Sequence, residues 1–178
     1  MKLSIIYFSL FLALCCFTSQ TVFAQKALKP KNSPMSVAAM KQGDTYVKIV
    51  YCQPHKRDRP VFGGLVPYGE VWRLGANEAT EITLTEDLTV GGKKLAAGTY
   101  SMYAIPEKDK WTVIFNSALG EWGHFNYDEE KDVLRVEAPT SKAEETYEPF
   151  TIMFNEAGTE IIMIWEDTKA TISVSVTA

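Results

Sequence analysis

Thr171-Ile172-Ser173-Val174-Ser175-Val176 alternates apolar and polar side chains without a break. A two-residue period over this length puts Ile172, Val174 and Val176 on one face and Thr171, Ser173 and Ser175 on the other, the pattern of a strand with one buried and one wet face. The same period recurs upstream. Trp111–Asn116 sets Trp111, Val113 and Phe115 against Thr112, Ile114 and Asn116, and Tyr46–Tyr51 sets Val47, Ile49 and Tyr51 against Tyr46, Lys48 and Val50. Further strands are expected at Glu81–Thr85, Leu88–Val90, Thr99–Ile105, Val133–Glu137, Phe150–Asn155 and Glu160–Asp167. Gly91-Gly92 marks a two-residue reversal and Glu156–Thr159 a hairpin loop. Strands spaced about 8 to 15 residues apart predict an all-β chain, an antiparallel β-sandwich or jelly roll. Pro34–Lys41 and Lys142–Tyr147 are read as short helical turns, the first capped by Ser33.

The N-terminus reads as an export signal. Lys2 precedes the apolar run Leu3–Phe17, a polar break follows, and Val22-Phe23-Ala24 offers a cleavage site after Ala24. The run is short of the roughly 20 apolar residues a spanning helix needs. Neither Cys15 nor Cys16 follows a small residue, which argues against lipid attachment. The expected organisation is therefore a leader at 1–24, a flexible segment at 25–35 and a single β-sandwich domain at 36–178. Localisation is periplasmic or extracellular, and no transmembrane segment remains after cleavage. Only Cys52 is left, so no internal disulfide forms, and its place after a strand makes it a buried thiol. The chain of 178 residues has a formal net charge of −4. A short basic run at His55–Arg59 cannot track a duplex, so nucleic acid is not an expected partner.

Chemistry concentrates in two glycine-bent segments, Phe62–Thr80 (FGGLVPYGEVWRLGANEAT) and Gly120–Tyr127 (GEWGHFNY). Neither has a helical or strand period. Trp72 and Trp122 supply flat apolar faces. Arg57, Arg59 and Arg73 supply bidentate donors for a carboxylate or phosphate, and Asn77, Glu78 and His124 supply further polar groups. The same arginines could instead tie the loops to Glu70, Glu78 and Asp58, and the tryptophans could be core; Trp111 and Trp165, in alternating strands, are expected there. The two histidines fit no metal-binding spacing, so no metal and no cofactor is expected. No nucleophile elbow occurs, and Cys52 and His55 would need the turn at Pro54 to meet. Glu70, Glu78, Glu121 and Asp128 are the carboxylates placed near aromatics.

The run Tyr51–Thr80, with Gly92–Pro106 (GKKLAAGTYSMYAIP), Trp111–Asn116 (WTVIFN) and Trp122–Val136 (WGHFNYDEEKDVLRV), resembles the exported bacterial family called domain of unknown function 2911. The likeness spans nearly all of the chain after the leader. In the family's Y-x-x-P-x-x-R-G-R pattern, Asp58 stands where glycine is common, so the turn between Arg57 and Arg59 is expected to differ. The resemblance implies an exported, mostly β domain and brings no catalytic residues.

Three functional readings follow. The first is a non-catalytic domain that binds a small polar ligand, a glycan or an anionic group, through Arg57, Arg59, Trp72, Arg73, Asn77, Glu78, Trp122 and His124. The second is a hydrolase with Glu78 or His124 as general base. The third is a structural envelope domain in which Arg73 and Glu78 form a buried pair. The oligomeric state is not encoded in any of these features.

Overall fold

The computed structural model describes residues 31–176. The expected leader and residues 25–30 of the segment after it lie outside the described residues. Nine strands follow: β1 (Met35–Gln42), β2 (Thr45–Cys52), β3 (Thr80–Leu84), β4 (Leu88–Val90), β5 (Lys93–Leu95), β6 (Gly98–Pro106), β7 (Lys110–Asn116), β8 (Asp132–Phe154) and β9 (Glu160–Val176). All pairings are antiparallel, and the hydrogen-bonded order is β1-β2-β3-β6-β7-β8-β9-β4-β5. Among the described residues no helix is long and apolar enough to cross a membrane.

Two long strands turn this ladder into a sandwich. The first part of β8 pairs with β7, from Asp132 to Pro139, and the rest pairs with β9, from Thr140 to Phe154. The register of β8 on β9 shifts on either side of Tyr147, which lies opposite Glu166. Glu166 has φ 56°, a left-handed conformation that bends β9 at the same corner. Beyond the corner β9 runs on to pair with β4 through Val174–Val176. One layer is thus β1-β2-β3-β6-β7 with the start of β8; the other is the end of β8 with β9, β4 and β5. Their inner faces share one apolar core, in which Val47, Ile49, Ile82 and Val113 meet Ile152, Ile161, Met163 and Ile172.

The alternation of β2 holds residue by residue: Val47, Ile49 and Tyr51 are buried, whereas Tyr46 is exposed and Lys48 and Val50 are half-buried. Trp111 and Trp165 are core residues, as expected. Gly91 and Gly92 take φ 55° and 77°, the pair of positive values a tight hairpin demands, and join β4 to β5.

Two expectations are corrected. Pro34–Lys41 is not a helical turn but largely β1, drawn into register with β2 across the turn at Gly43-Asp44. Lys142–Tyr147 is likewise extended, as the bulged corner of β8. In both, tertiary pairing overrides weak local preference. The one helical element among the described residues is a 3-10 turn at Glu129–Lys131, capped by the Asp128 side chain, which accepts from the Glu130 amide.

Candidate functional site

The site begins with a break in one strand. Gly69 donates to the Pro106 carbonyl at 2.9 Å, and Trp72 and Ala104 exchange two backbone bonds at 2.7 and 2.8 Å, so the chain runs beside β6. Pairing with β6 resumes at Thr80, opposite Met102. Between these points Arg73–Ala79 leaves the sheet as an excursion. Its neck is closed by the Thr80 amide on the Arg73 carbonyl at 3.2 Å and the Thr80 hydroxyl on the Leu74 carbonyl at 2.6 Å. Gly75 packs so near β2 that an added Cβ would lie 2.9 Å from the Cys52 carbonyl, which explains a glycine there.

The excursion is strained. Leu74 (φ 50°) and Asn77 (φ 57°) are left-handed, and so are Arg57 (48°) and Asp58 (59°) in the neighbouring turn. The Arg59 amide closes that turn on the Lys56 carbonyl at 3.1 Å. Two successive positive φ values make it a hairpin-type reversal, and aspartate tolerates this better than most residues. The fifth left-handed non-glycine residue among those described is Glu166, which accepts from Lys56 at 3.1 Å and the Val61 amide at 3.3 Å. Strain of this kind persists only where surrounding structure fixes it, and it gathers at binding and active sites.

The second glycine-bent loop lies against the first. Glu78 and Trp122 form an isolated backbone bridge, and the Ala79 amide donates to the Glu121 carbonyl at 2.9 Å. Four side chains anchor this loop at its far end. Tyr127 donates to Asp132 at 2.7 Å, Arg135 donates to Asp132 at 2.6 Å and to the Tyr127 oxygen at 2.8 Å, and Asn116 donates to Asp132 at 2.8 Å. Burial, with the Asp132 carboxylate behind it, pushes the Tyr127 phenol up, so it stays a proton donor.

The eight expected site residues divide into two groups. Arg59, Trp72, Arg73, Asn77 and His124 line one groove of about 400 Å³, together with Glu70 and Trp165. Trp72 forms its floor and is only 7% exposed. Its ring packs among Phe62, Trp111, Phe150 and Trp165, and its Nε1 donates to the Gly75 carbonyl at 3.0 Å. It is a core residue with one edge toward the groove, not an open stacking platform. Arg73 sits half-buried over Phe125, 5.6 Å from the ring centre, and donates to the Asn77 carbonyl at 3.2 Å. No carboxylate lies within ion-pair distance of it among the described residues. Burial draws its guanidinium below the usual arginine value, yet a group of that strength stays charged. Burial first, and the Arg73 charge second, also lower the His124 imidazole; Glu70 acts in the opposite direction. His124 Nδ1 is buried with no hydrogen-bond partner.

The other group is Arg57, Glu78 and Trp122, again with Asn77. Glu78 lies beside a separate hollow of about 250 Å³ that also contains Cys52 and Glu121. Its carboxylate accepts from Lys31 at 3.1 Å and from the Cys52 thiol at 3.2 Å. Its own backbone amide, then Cys52 and Lys31, hold it below the ordinary carboxylate range. The Arg73–Glu78 pair of the structural reading is therefore not formed: Glu78 belongs to Lys31. Nor do the arginines pair with Glu70 or Asp58. Arg59 donates to the carbonyls of Lys56 and His55, both at 2.9 Å, and Arg57 to that of Asn32 at 3.0 Å. Cys52 is buried, its thiol pushed up chiefly by desolvation, in line with an inert cysteine. Trp122 is 56% exposed.

Sequence reasoning missed Lys31, which belongs to a stretch without pattern, and gave Ser33 only the role of a helix cap. Glu70, expected as one of the carboxylates near aromatics and as a possible arginine partner, lines the groove without forming such a pair among the described residues. No local signal separates Lys31 from surface residues.

A family model described as "Protein of unknown function (DUF2911)" matches residues 33–174. No curated protein and no solved structure matches the chain.

Proposed function

Taking as premise that the chain belongs to the DUF2911 family, described as proteins of unknown function, we propose that it is a non-catalytic binding domain holding a small anionic ligand in the groove at Arg73. One observation carries this reading: a half-buried arginine lines a groove of about 400 Å³ with one hydrogen bond and no ion-pair partner among the described residues. A guanidinium in that state keeps donors for a carboxylate or phosphate, and bidentate contact adds geometric selectivity. His124 beside it is kept neutral near pH 7, so it adds a hydrogen-bonding group and not a second charge. The backbone strain around the groove supports a preorganised site.

A glycan held by ring stacking has less support, because the Trp72 face is covered by other aromatics. The hydrolase reading also has less. Glu78 is too acidic for an effective base near neutral pH, is already engaged, and faces a different hollow from His124. With the leader expected from the sequence, this binding would take place outside the cytoplasm.

Titration calorimetry with citrate, glucuronate and glucose 6-phosphate, and with glucose and cellobiose as neutral controls, tests the proposal. At least one anion should bind, the neutral sugars should not, and Arg73→Lys should weaken the anion at least tenfold while the melting temperature changes little. Equal anion binding by Arg73→Lys, or binding of the neutral sugars alone, would show the groove reading to be wrong.

A further inference from the structure

Beyond the groove, we infer that the surface made by Arg57, Asn77, Glu78 and Trp122 is a receptor for an extended, lysine-bearing peptide segment. The chain's own residues 31–34 are seated on it. Three successive carbonyls of that segment are bonded: Asn32 accepts from Arg57 at 3.0 Å, Ser33 from Asn77 at 3.4 Å, and Pro34 from the Gln53 amide at 2.8 Å. The Lys31 ammonium meets Glu78 at 3.1 Å and lies 5.9 Å from the centre of the Trp122 ring. Main chain and one cationic side chain are thus held together, which is how peptides are recognised and free amines are not.

Two of the parts, Glu78 and Trp122, are fixed independently of the occupant. Glu78 and Trp122 are joined by a backbone bridge. The Cys52 thiol holds Glu78 Oε2 at 3.2 Å, which leaves Oε1 toward the ammonium. The Trp122 face and the carboxylate then offer a cation–π contact and an ion pair to the same group. Glu78 stays ionised at neutral pH, so the charge needed for a lysine is always present.

The resident segment is exchangeable. The Lys31 and Glu78 side chains are 56% and 42% exposed, and ion pairs so open to solvent contribute little net stability. Covalent linkage at Met35 still gives the segment a high effective concentration, so it masks the surface from a second peptide. Removing the resident lysine should therefore strengthen binding in trans.

A fluorescein-labelled peptide of residues 27–34 (ALKPKNSP), titrated by anisotropy into the full chain, tests this. Lys31→Ala protein should bind the peptide about two- to fivefold tighter than wild type, the most that so exposed an ion pair can mask. A second substitution, Glu78→Gln or Trp122→Ala, should abolish the gain, and a peptide carrying K31A should not bind. Equal binding by wild type and Lys31→Ala, no binding by either, or competition by n-butylamine as effective as by unlabelled peptide would overturn the inference. Arg73 and His124 are untouched, so anion titration of the same variants reports separately on the groove.

Discussion

His124 shows how one residue can couple the groove to stability. Its imidazole is driven toward the neutral form by burial and by the adjacent Arg73 charge. The ordinary histidine value is 6.5. Below that pH the unfolded chain takes up a proton that the folded chain resists, so the unfolded state binds more protons and stability rises with pH. The contribution is level above about 6.5 and is lost as pH falls from there toward the depressed folded value. Urea midpoints measured from pH 5 to pH 7.5 should climb and then flatten, and His124→Gln should remove most of the slope. An unchanged slope in the variant would mean that the imidazole is not desolvated. The unpartnered Nδ1 points the same way, because a buried nitrogen without a partner costs stability. A bound anion bridging Arg73 and His124 would raise the imidazole again toward its ordinary value and so shrink the climb.

At the scale of elements, the second loop depends on the cluster at the start of β8. Tyr127→Phe deletes a 2.7 Å bond to Asp132 and a 2.8 Å bond from Arg135. It keeps the ring, which packs 5.0 Å from Tyr103. Hydrogen bonds to charged groups contribute about 1.5 to 3 kcal/mol. Since Arg135 still reaches Asp132 directly, the variant should lose about 1 to 2 kcal/mol by urea denaturation; a loss near zero would mean that the loop is held elsewhere. How much could be read in advance follows the same divide between local and distant. Strands β2 and β7 are legible because their side chains alternate within the segment itself. The continuity of β8 and β9 is not, since Tyr147 and Glu166 form a corner only through pairing across the sheet. The exposed outer positions of β1, Met35, Val37 and Ala39, carry too little polar contrast for alternation to stand out, and its pairing with β2 decides its form. In the site, the glycines mark the two tryptophan loops as bends within their own segments, but their meeting at Glu78 and Trp122 is a long-range contact with no local signal. The division of their side chains between a groove and a separate surface was not legible. It depends on which way the Arg73–Ala79 excursion leaves the sheet, and that is set by Cys52 on β2 and Glu121 in the other loop.

For the molecule as a whole, the continuous strands decide how it can come apart. β8 leaves one layer and enters the other, and β9 carries the second layer on to β4. Neither layer can lose its register without pulling on a strand the other needs. Their inner faces also meet in a single core, with Trp111 from β7 and Trp165 from β9 both against Phe62 and Trp72. Removing one layer would expose these rings to water, and aromatic side chains dominate the energetics of such cores. Unfolding should therefore be all-or-none. Three probes report on different parts: far-ultraviolet dichroism on the sheets, indole fluorescence on the shared core, and thiol labelling of Cys52 on the edge where the excursion packs on β2. In urea their midpoints should coincide. Labelling of Cys52 at clearly lower urea than the fluorescence change would mean that the excursion opens on its own, as a segment with four left-handed non-glycine residues in and beside it could do. In that case the groove and the peptide-bearing surface would be sites assembled on a mobile loop and not features of a rigid sandwich.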